Sequence, residues 1–332
     1  MKKIFITGAT GFLGSNLARR LAESGNDITI LVRKGSDHPY LKNLPIKRAE
    51  GDVTDLESLK AGIKNMDLVF HCAGVVSYRK SDESLMHRVN VIGTNNVCRV
   101  SLEAGVKRLL YVSSTAAVGI PENPANPAGE DYPFDKKWNK IPYMRTKRIA
   151  EEKAFSFVDK GLDVVAANPS TFFGAGDIKA ANGELFRQIA SGRLASAPPG
   201  GNGVITIEDC VDGIIKATER GKTGERYILN AENLTFLEIF NLIAKSLKKP
   251  GISRVMPRWG YSPALAAAIV MGKILPVAGI EPPFSPELIK ISWSYRYFNS
   301  SKAKNELGWA PKISFKRACE EAAEFYKFIG VL

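Results

Sequence analysis

Tyr143-Met144-Arg145-Thr146-Lys147 sets a phenol and an ammonium four residues apart, which on a helix puts them on one face. A free phenol titrates near ~10, so at neutral pH it donates and accepts protons poorly. A cation about 4 Å away contributes on the order of 4 kcal/mol at an effective dielectric of 20, and each pKa unit corresponds to about 1.4 kcal/mol. Lys147 is therefore expected to lower the Tyr143 phenol by a couple of units and make it an acid or base for an oxygen. A hydroxyl at the end of a neighbouring strand completes such a site, and Tyr111-Val112-Ser113-Ser114-Thr115 supplies one. The residues leave Ser114 and Thr115 both open for that role.

The elements that must carry these groups begin at the N-terminus. Ile4 to Thr7 is an apolar strand that runs into Gly8, Gly11 and Gly14 and then into the helical spacing Leu13, Leu17, Leu21. That is the first turn of a dinucleotide-binding βαβ unit: Gly8 permits a tight turn, Gly11 lets backbone approach a pyrophosphate, and Gly14 lets helix and strand pack closely. The diphosphate belongs at the positive end of the helix. Further strand signals at Ile28 to Val32, Lys47 to Glu50, Leu68 to His71, Arg108 to Ser113 and Asp163 to Asn168 alternate with helical stretches. Such alternation implies an α/β fold, a Rossmann-type doubly wound parallel sheet. An acidic residue about 20 positions past the glycines would grip a ribose 2′-hydroxyl. Counting from Gly14 reaches Arg33-Lys34 instead, which suits a 2′-phosphate, so NADP(H) is favoured and NAD(H) is the alternative.

After Ser170 the texture changes to Gly and Pro clusters, a strand-like Gly203 to Ile207 and a helix near Phe236 to Leu247. The expected organisation is a cofactor domain over 1–170, joined again by 204–232. A smaller interleaved substrate lobe takes 171–203 and 233–332. Pro121 to Pro142 is long for a plain connection and is expected to edge the substrate cleft. Residues 263–279 are strongly apolar but too short for a transmembrane span, which needs roughly 20 apolar residues. A buried helix or substrate lid is expected there, with membrane-surface contact as the other reading.

The 332 residues are 45% hydrophobic and carry a net charge of +12. The lysines and arginines are scattered without aromatic interleaving, which argues against nucleic acid. Cys72, Cys98, Cys210 and Cys319 form no paired motif, so neither disulfides nor a metal site is expected, and His71-Cys72 reads as a buried strand end. The start, Met-Lys-Lys followed directly by strand residues, leads to the expectation of a cytoplasmic protein.

The whole set resembles the extended short-chain dehydrogenase/reductase family. Its marks are Thr7 to Gly14, Gly51-Asp52-Val53, His71-Cys72-Ala73-Gly74, Asn90-Val91-Ile92-Gly93-Thr94, Ser113-Ser114, Tyr143 to Lys147 and a closing Asn305 to Pro311. The resemblance implies cofactor contacts from Thr7, Gly8, Thr10, Gly11, Phe12, Leu13 and Gly14, with Arg33 and Lys34 at the ribose. Asp52 and Val53 would flank the adenine, and Cys72, Ala73, Gly74 and Val112 would line the cofactor path. Pro169 and Ser170 would sit near the carboxamide, and Asn90 would order the central helix or a proton-relay water. Tyr143 would be the general acid or base, and Lys147 would tune it and bond the nicotinamide ribose.

Sugar-nucleotide members of the family commonly show Arg-x-x-Asn before the glycine that is Gly174 here, and this chain has Asn168 and Thr171 at those places. The Asn168-Pro169-Ser170 form, the Leu31-Val32-Arg33 ending and the apolar second lobe look more like dihydroflavonol reductases and hydroxysteroid dehydrogenases. The expectation is an enzyme reducing a ketone or aldehyde on an apolar substrate, with Phe172, Phe173 and Trp138 as walls. The alternatives are a sugar-nucleotide epimerase or dehydratase and a non-catalytic cofactor-sensing scaffold. A homodimer through the helix carrying Tyr143 is compatible with the sequence.

Overall fold

The computed structural model describes residues 1–36, 38–278, 282 and 284–332. In chain order the strands are β1 (Lys3–Thr7), β2 (Asp27–Val32), β3 (Ile46–Glu50), β4 (Leu68–His71), β5 (Arg108–Val112), β6 (Val164–Pro169), β7 (Thr171–Phe173), β8 (Gly201–Thr206), β9 (Arg226–Leu229), β10 (Glu232–Thr235) and β11 (Tyr295–Arg296). Seven of them form one sheet in the order β3-β2-β1-β4-β5-β6-β9. Every neighbouring pair in it is parallel. The order reverses between β1 and β4, and open sheets of this kind leave a crevice at the carboxyl ends of the strands there. All of the first-half strand expectations fall on members of this sheet.

The helices on this sheet are α1 (Phe12–Glu23), α2 (Leu56–Ile63), α3 (Glu83–Met86), α4 (Gly93–Glu103), α5 (Pro142–Phe155), and, after α6 (Gly183–Ala190) in the chain, α7 (Ile207–Arg220). Parallel strands are covered on both faces because their crossover helices return over the sheet. One face buries Ile4, Ile6 and Leu110 against Leu17, Leu21 and Ile214 of α1 and α7. The other buries Phe5, Val69 and Leu109 against Leu59, Val97 and Ala150. Between α3 and α4 the chain stays helical but winds as a π-helix over His87–Ile92.

β8 is the centre of a second sheet, antiparallel to β10 and parallel to β7 and β11. Around it lie α6, α8 (Phe236–Ser246), α9 (Tyr261–Ile274), α10 (Pro286–Ser292), α11 (Ser301–Leu307) and α12 (Phe315–Phe328). Its own apolar core includes Phe173, Phe186, Val204, Ile243 and Phe315. The start of α8 is fixed by a reciprocal cap between Thr235 and Glu238, which satisfies two otherwise orphaned N–H groups. Trp309, fully buried in the closing motif, donates its indole N–H to the Asp209 carbonyl at 3.0 Å and so ties the chain's last segment to α7.

Two expectations are corrected here. Over 263–276 the apolar stretch is not a buried helix: of α9 only Ala268 is buried, while Ile269, Val270 and Ile274 are exposed. Residue 279 of that stretch lies outside the described residues. Among the described residues no helix is long and apolar enough to cross a membrane. Second, none of residues 121–142 reaches the central cavity, which this connection meets at Gly119 and Ile120. Trp138 instead packs behind the wall with Ile120, Ile141, Met144 and Ile291.

Candidate active site

A cavity of about 680 Å³ opens at the carboxyl ends of β1, β4, β5 and β6, within the range that holds a small molecule. At one end its wall is the glycine turn. Gly8 has φ +71°, and a Cβ there would stand 2.6 Å from the Ala73 backbone nitrogen. A Cβ on Gly14 would stand 2.2 Å from the Gly8 carbonyl oxygen, so α1 can approach β1 this closely only with hydrogen at that position. Gly11 begins α1 with no side-chain cap and no acidic residue in the first turn. Free N–H groups at a positive helix end suit a diphosphate.

Of the residues expected at the cofactor, Gly8, Gly11, Phe12, Leu13, Gly14, Cys72, Gly74, Val112, Pro169 and Ser170 line this cavity. Thr7, Thr10, Ala73 and Asn90 do not. Thr7 is spent on internal order: its hydroxyl meets His71 Nδ1 at 2.7 Å and accepts the Ala73 N–H at 3.2 Å. Asn90 lies in the π-helical turn, where its amide accepts from Val75 N–H at 2.7 Å and donates to the Val75 carbonyl at 3.0 Å. It therefore fixes the loop that carries Gly74. The Ser170 hydroxyl, buried in the cavity wall, has no hydrogen-bond partner, which fits a carboxamide-bearing group. Arg33 and Lys34, both exposed, follow the end of β2, and Asp52 and Val53 follow β3 beside them. The Asp52 carboxylate already accepts from the Thr54 N–H at 2.9 Å and hydroxyl at 2.7 Å.

His71 is fully buried between Thr7 and Thr94, whose hydroxyl lies 2.9 Å from Nε2, and burial first, then the nearby Lys147, drives its pKa down to about 3. It is a neutral strut of the sheet. No group of three metal-capable side chains occurs among the described residues.

At the other end of the cavity stand Tyr143, Lys147 and Ser114. Pro142 starts α5, where its missing N–H costs nothing, and Tyr143 follows it, buried at 8% exposure. Its ring meets Tyr78 edge-on with centroids 5.8 Å apart. Burial raises the phenol well above its ordinary range, and Tyr78 adds to this. The Ser114 side chain and the Arg296 guanidinium pull it back down. Of the two hydroxyls that the sequence left open, Ser114 lines the cavity with Tyr143 and pulls its phenol down. Thr115 also lines the cavity and opens a single 3₁₀ turn.

The Lys147 Nζ donates to the Val112 carbonyl at 2.9 Å and lies 4.7 Å over the Tyr111 ring. Burial brings its pKa down to about 8, against which Glu151 and Cys72 act. The charged group that pulls the Tyr143 phenol down in this fold is Arg296. A stability prediction follows. Folded Lys147 has a pKa below its ordinary 10.5, so between about pH 8 and 10.5 the unfolded chain holds the extra proton and stability rises with pH. Below pH 8 the burial penalty is fully present. Lys147→Met should therefore be most stabilising relative to wild type near neutrality, with the difference shrinking toward pH 10 in urea titrations; a pH-independent difference refutes the buried-charge account.

Sequence reasoning read Asn168 only as a mark of substrate class and missed four residues that set this end of the site, Glu151, Arg226, Tyr78 and Arg296. Asn168, at the place where the sequence was compared with sugar-nucleotide enzymes, donates to the Ser114 carbonyl at 3.0 Å and to Glu151 at 2.6 Å. Glu151, 3% exposed at its side chain, pairs with Arg226 at 2.8 Å, so β6, α5 and β9 are locked together behind Ser114. Tyr78 comes from the long loop after β4, a position where parallel sheets place function and which could have drawn notice on that ground. Arg296 sits on a strand of two residues that has no periodic signal.

A sequence model of the NAD dependent epimerase/dehydratase family matches residues 4–230. A Synechocystis protein named after dihydroflavonol 4-reductase is 33% identical over 98% of this chain and 95% of its own. Sterol demethylase protein B of Methylococcus capsulatus is 30% identical over 98% of this chain and 99% of its own. The crystal structure of gox2253 superposes with a TM-score of 0.86 at 32% identity, covering 100% of both chains.

Proposed function

Because the chain belongs to the NAD dependent epimerase/dehydratase family and is an NAD(P)-dependent oxidoreductase of the extended short-chain type, we propose that it reduces a ketone or aldehyde on an apolar substrate with NADPH, Tyr143 being the general acid. The observation that carries this reading is the Tyr143–Ser114 pair at one end of a cavity whose other end is the glycine turn. When bound, the reduced nicotinamide supplies the hydride. Tyr143, held protonated by burial, gives its proton to the carbonyl oxygen, and the Ser114 hydroxyl holds that oxygen in place. Lys147, one helical turn on, offers a charge that offsets the phenolate. Phe172, Phe173 and Ile291 on the cavity wall favour an apolar substrate, in keeping with the names of the two relatives. The test is NADPH oxidation followed against a panel of flavanonols, steroids, aldehydes and sugar nucleotides. Turnover confined to sugar nucleotides would replace this reading with the epimerase or dehydratase alternative.

The preference for NADPH rests on Arg33 and Lys34 after β2, neither of which has an acidic partner among the described residues, while the carboxylate of Asp52 is held by Thr54. A charge-assisted contact to a 2′-phosphate is worth roughly 1.5–3 kcal/mol, about 10- to 100-fold in affinity. Replacing both with alanine should raise KM for NADPH by about that factor and leave KM for NADH almost unchanged. A parallel rise for both cofactors would mean that these side chains read no phosphate.

A further inference from the structure

Resting on the reading that this cavity reduces a carbonyl, we propose that Arg296 determines specificity by binding an anionic oxygen group carried by the substrate next to the reacting carbonyl. Register places the residue there: Arg296 of β11 pairs with Asn202 of β8, and both line the cavity wall with Phe298, on the side formed by the second sheet. Its Nε is buried without a hydrogen-bond partner, and its guanidinium forms no ion pair among the described residues. A guanidinium with a buried Nε that serves structure is ordinarily paired, as Arg226 is with Glu151 in this same fold, whereas the half-buried Arg296 is not. Arg296 is oriented into a cavity and left without its complement.

The charge around it points the same way. Lys147, Lys179 and Arg296 line the cavity against a single carboxylate, Asp177. Oδ2 of that carboxylate accepts from the Tyr326 hydroxyl at 2.7 Å and the Asn182 N–H at 3.1 Å, while its buried Oδ1 has no hydrogen-bond partner, so the cations still outnumber the carboxylate three to one. Lys147 is engaged with the Val112 carbonyl. The strand partner of Arg296, Asn202, donates to the Thr171 hydroxyl at 2.7 Å, next to Ser170 at the end of β6. This sets Arg296 on the side of the cavity away from the glycine turn where a diphosphate of the cofactor belongs, and its charge acts on the Tyr143 phenol. A planar guanidinium offers a carboxylate two parallel N–H donors, a geometry that an ammonium lacks. With apolar walls on the same cavity, the substrate so recognised is an oxo acid with an otherwise apolar body; the diphosphate of a nucleotide is the other source of the same chemistry.

The test is calorimetric titration of the full chain loaded with NADP⁺, using octanoate, its neutral isostere octanamide, and uridine diphosphate. Wild type should bind octanoate about 10- to 100-fold more tightly than octanamide. Arg296→Met should erase that preference and Arg296→Lys should keep part of it, with NADP⁺ affinity reporting that each variant is folded. No preference in wild type, or a preference that survives in Arg296→Met, overturns the inference; if NADPH still reduces members of the carbonyl panel, the proposed reductase reading stands without it. Tight binding of uridine diphosphate that depends on Arg296, with none of octanoate, assigns the anion to a nucleotide. In that case the anion site stands and the apolar-carbonyl reading falls.

Discussion

Tyr143→Phe is expected to lower kcat by about a thousandfold while the Kd for NADPH changes by less than about twofold, since general acid catalysis of this kind contributes roughly 10²- to 10⁴-fold. The substitution removes one oxygen from a ring that is packed edge-on against Tyr78 and buried at 8% exposure, so the walls of the cavity are retained. The phenol is strongly protonated in the folded chain because burial disfavours the phenolate. It can donate a proton at any physiological pH, and its rate is governed by how well the phenolate is then stabilised. Ser114 and Arg296 supply that stabilisation in the unliganded fold, and a cationic nicotinamide after hydride transfer would add to it. Steady-state kinetics and fluorescence titration of NADPH on the same preparation separate the two quantities. A folded variant that loses cofactor affinity and turnover in equal measure would show that Tyr143 serves binding and not proton transfer.

Gly14→Ala is expected to weaken NADPH binding by roughly 10- to 100-fold, the loss of one charge-assisted hydrogen bond of about 1.5–3 kcal/mol at the diphosphate. The added methyl would meet the Gly8 carbonyl oxygen at 2.2 Å, the Gly8 carbonyl carbon at 2.8 Å and the Ala9 Cα at 2.9 Å, all of them backbone or fixed to it. No flexible side chain is available to yield, so α1 must move away from β1 and carry its uncapped N–H groups with it. Overpacking of this kind also costs about 1–3 kcal/mol of stability. Gly272→Ala is the matched control: it lies in α9 with nothing within 4 Å of the added methyl, and it should leave NADPH affinity unaltered. Titration of both variants decides the matter. Wild-type affinity in Gly14→Ala would mean that close packing of α1 on β1 does not position the cofactor.

The sequence by itself determined the parts of this protein that rest on local patterns. Short apolar runs between helical stretches can bury both faces only in a parallel sheet, and the expected strands Leu68 to His71 and Ile28 to Val32 are strands of that sheet. The glycine spacing dictates one turn, because at Gly14 hydrogen alone fits between α1 and β1 and at Gly8 between the turn and Ala73. Tyr143 and Lys147 share a helix, so their spacing was legible as well.

Tertiary structure alone decided how those groups are charged and what faces them. The ammonium of Lys147 is four residues from Tyr143 in sequence, yet its Nζ reaches the Val112 carbonyl instead, because an amine removed from water takes the nearest acceptor. The cation that acts on the phenol comes from β11, a strand of two residues that pairs with β8. Asn168, Glu151 and Arg226 come from three separate elements and meet only when the sheet assembles. The apolar α9 was also illegible, since hydrophobic composition says what could be buried and the packing of neighbouring helices says what is. Coulomb energy and desolvation depend on distances through space, and a one-dimensional chain records such distances only for residues a few positions apart.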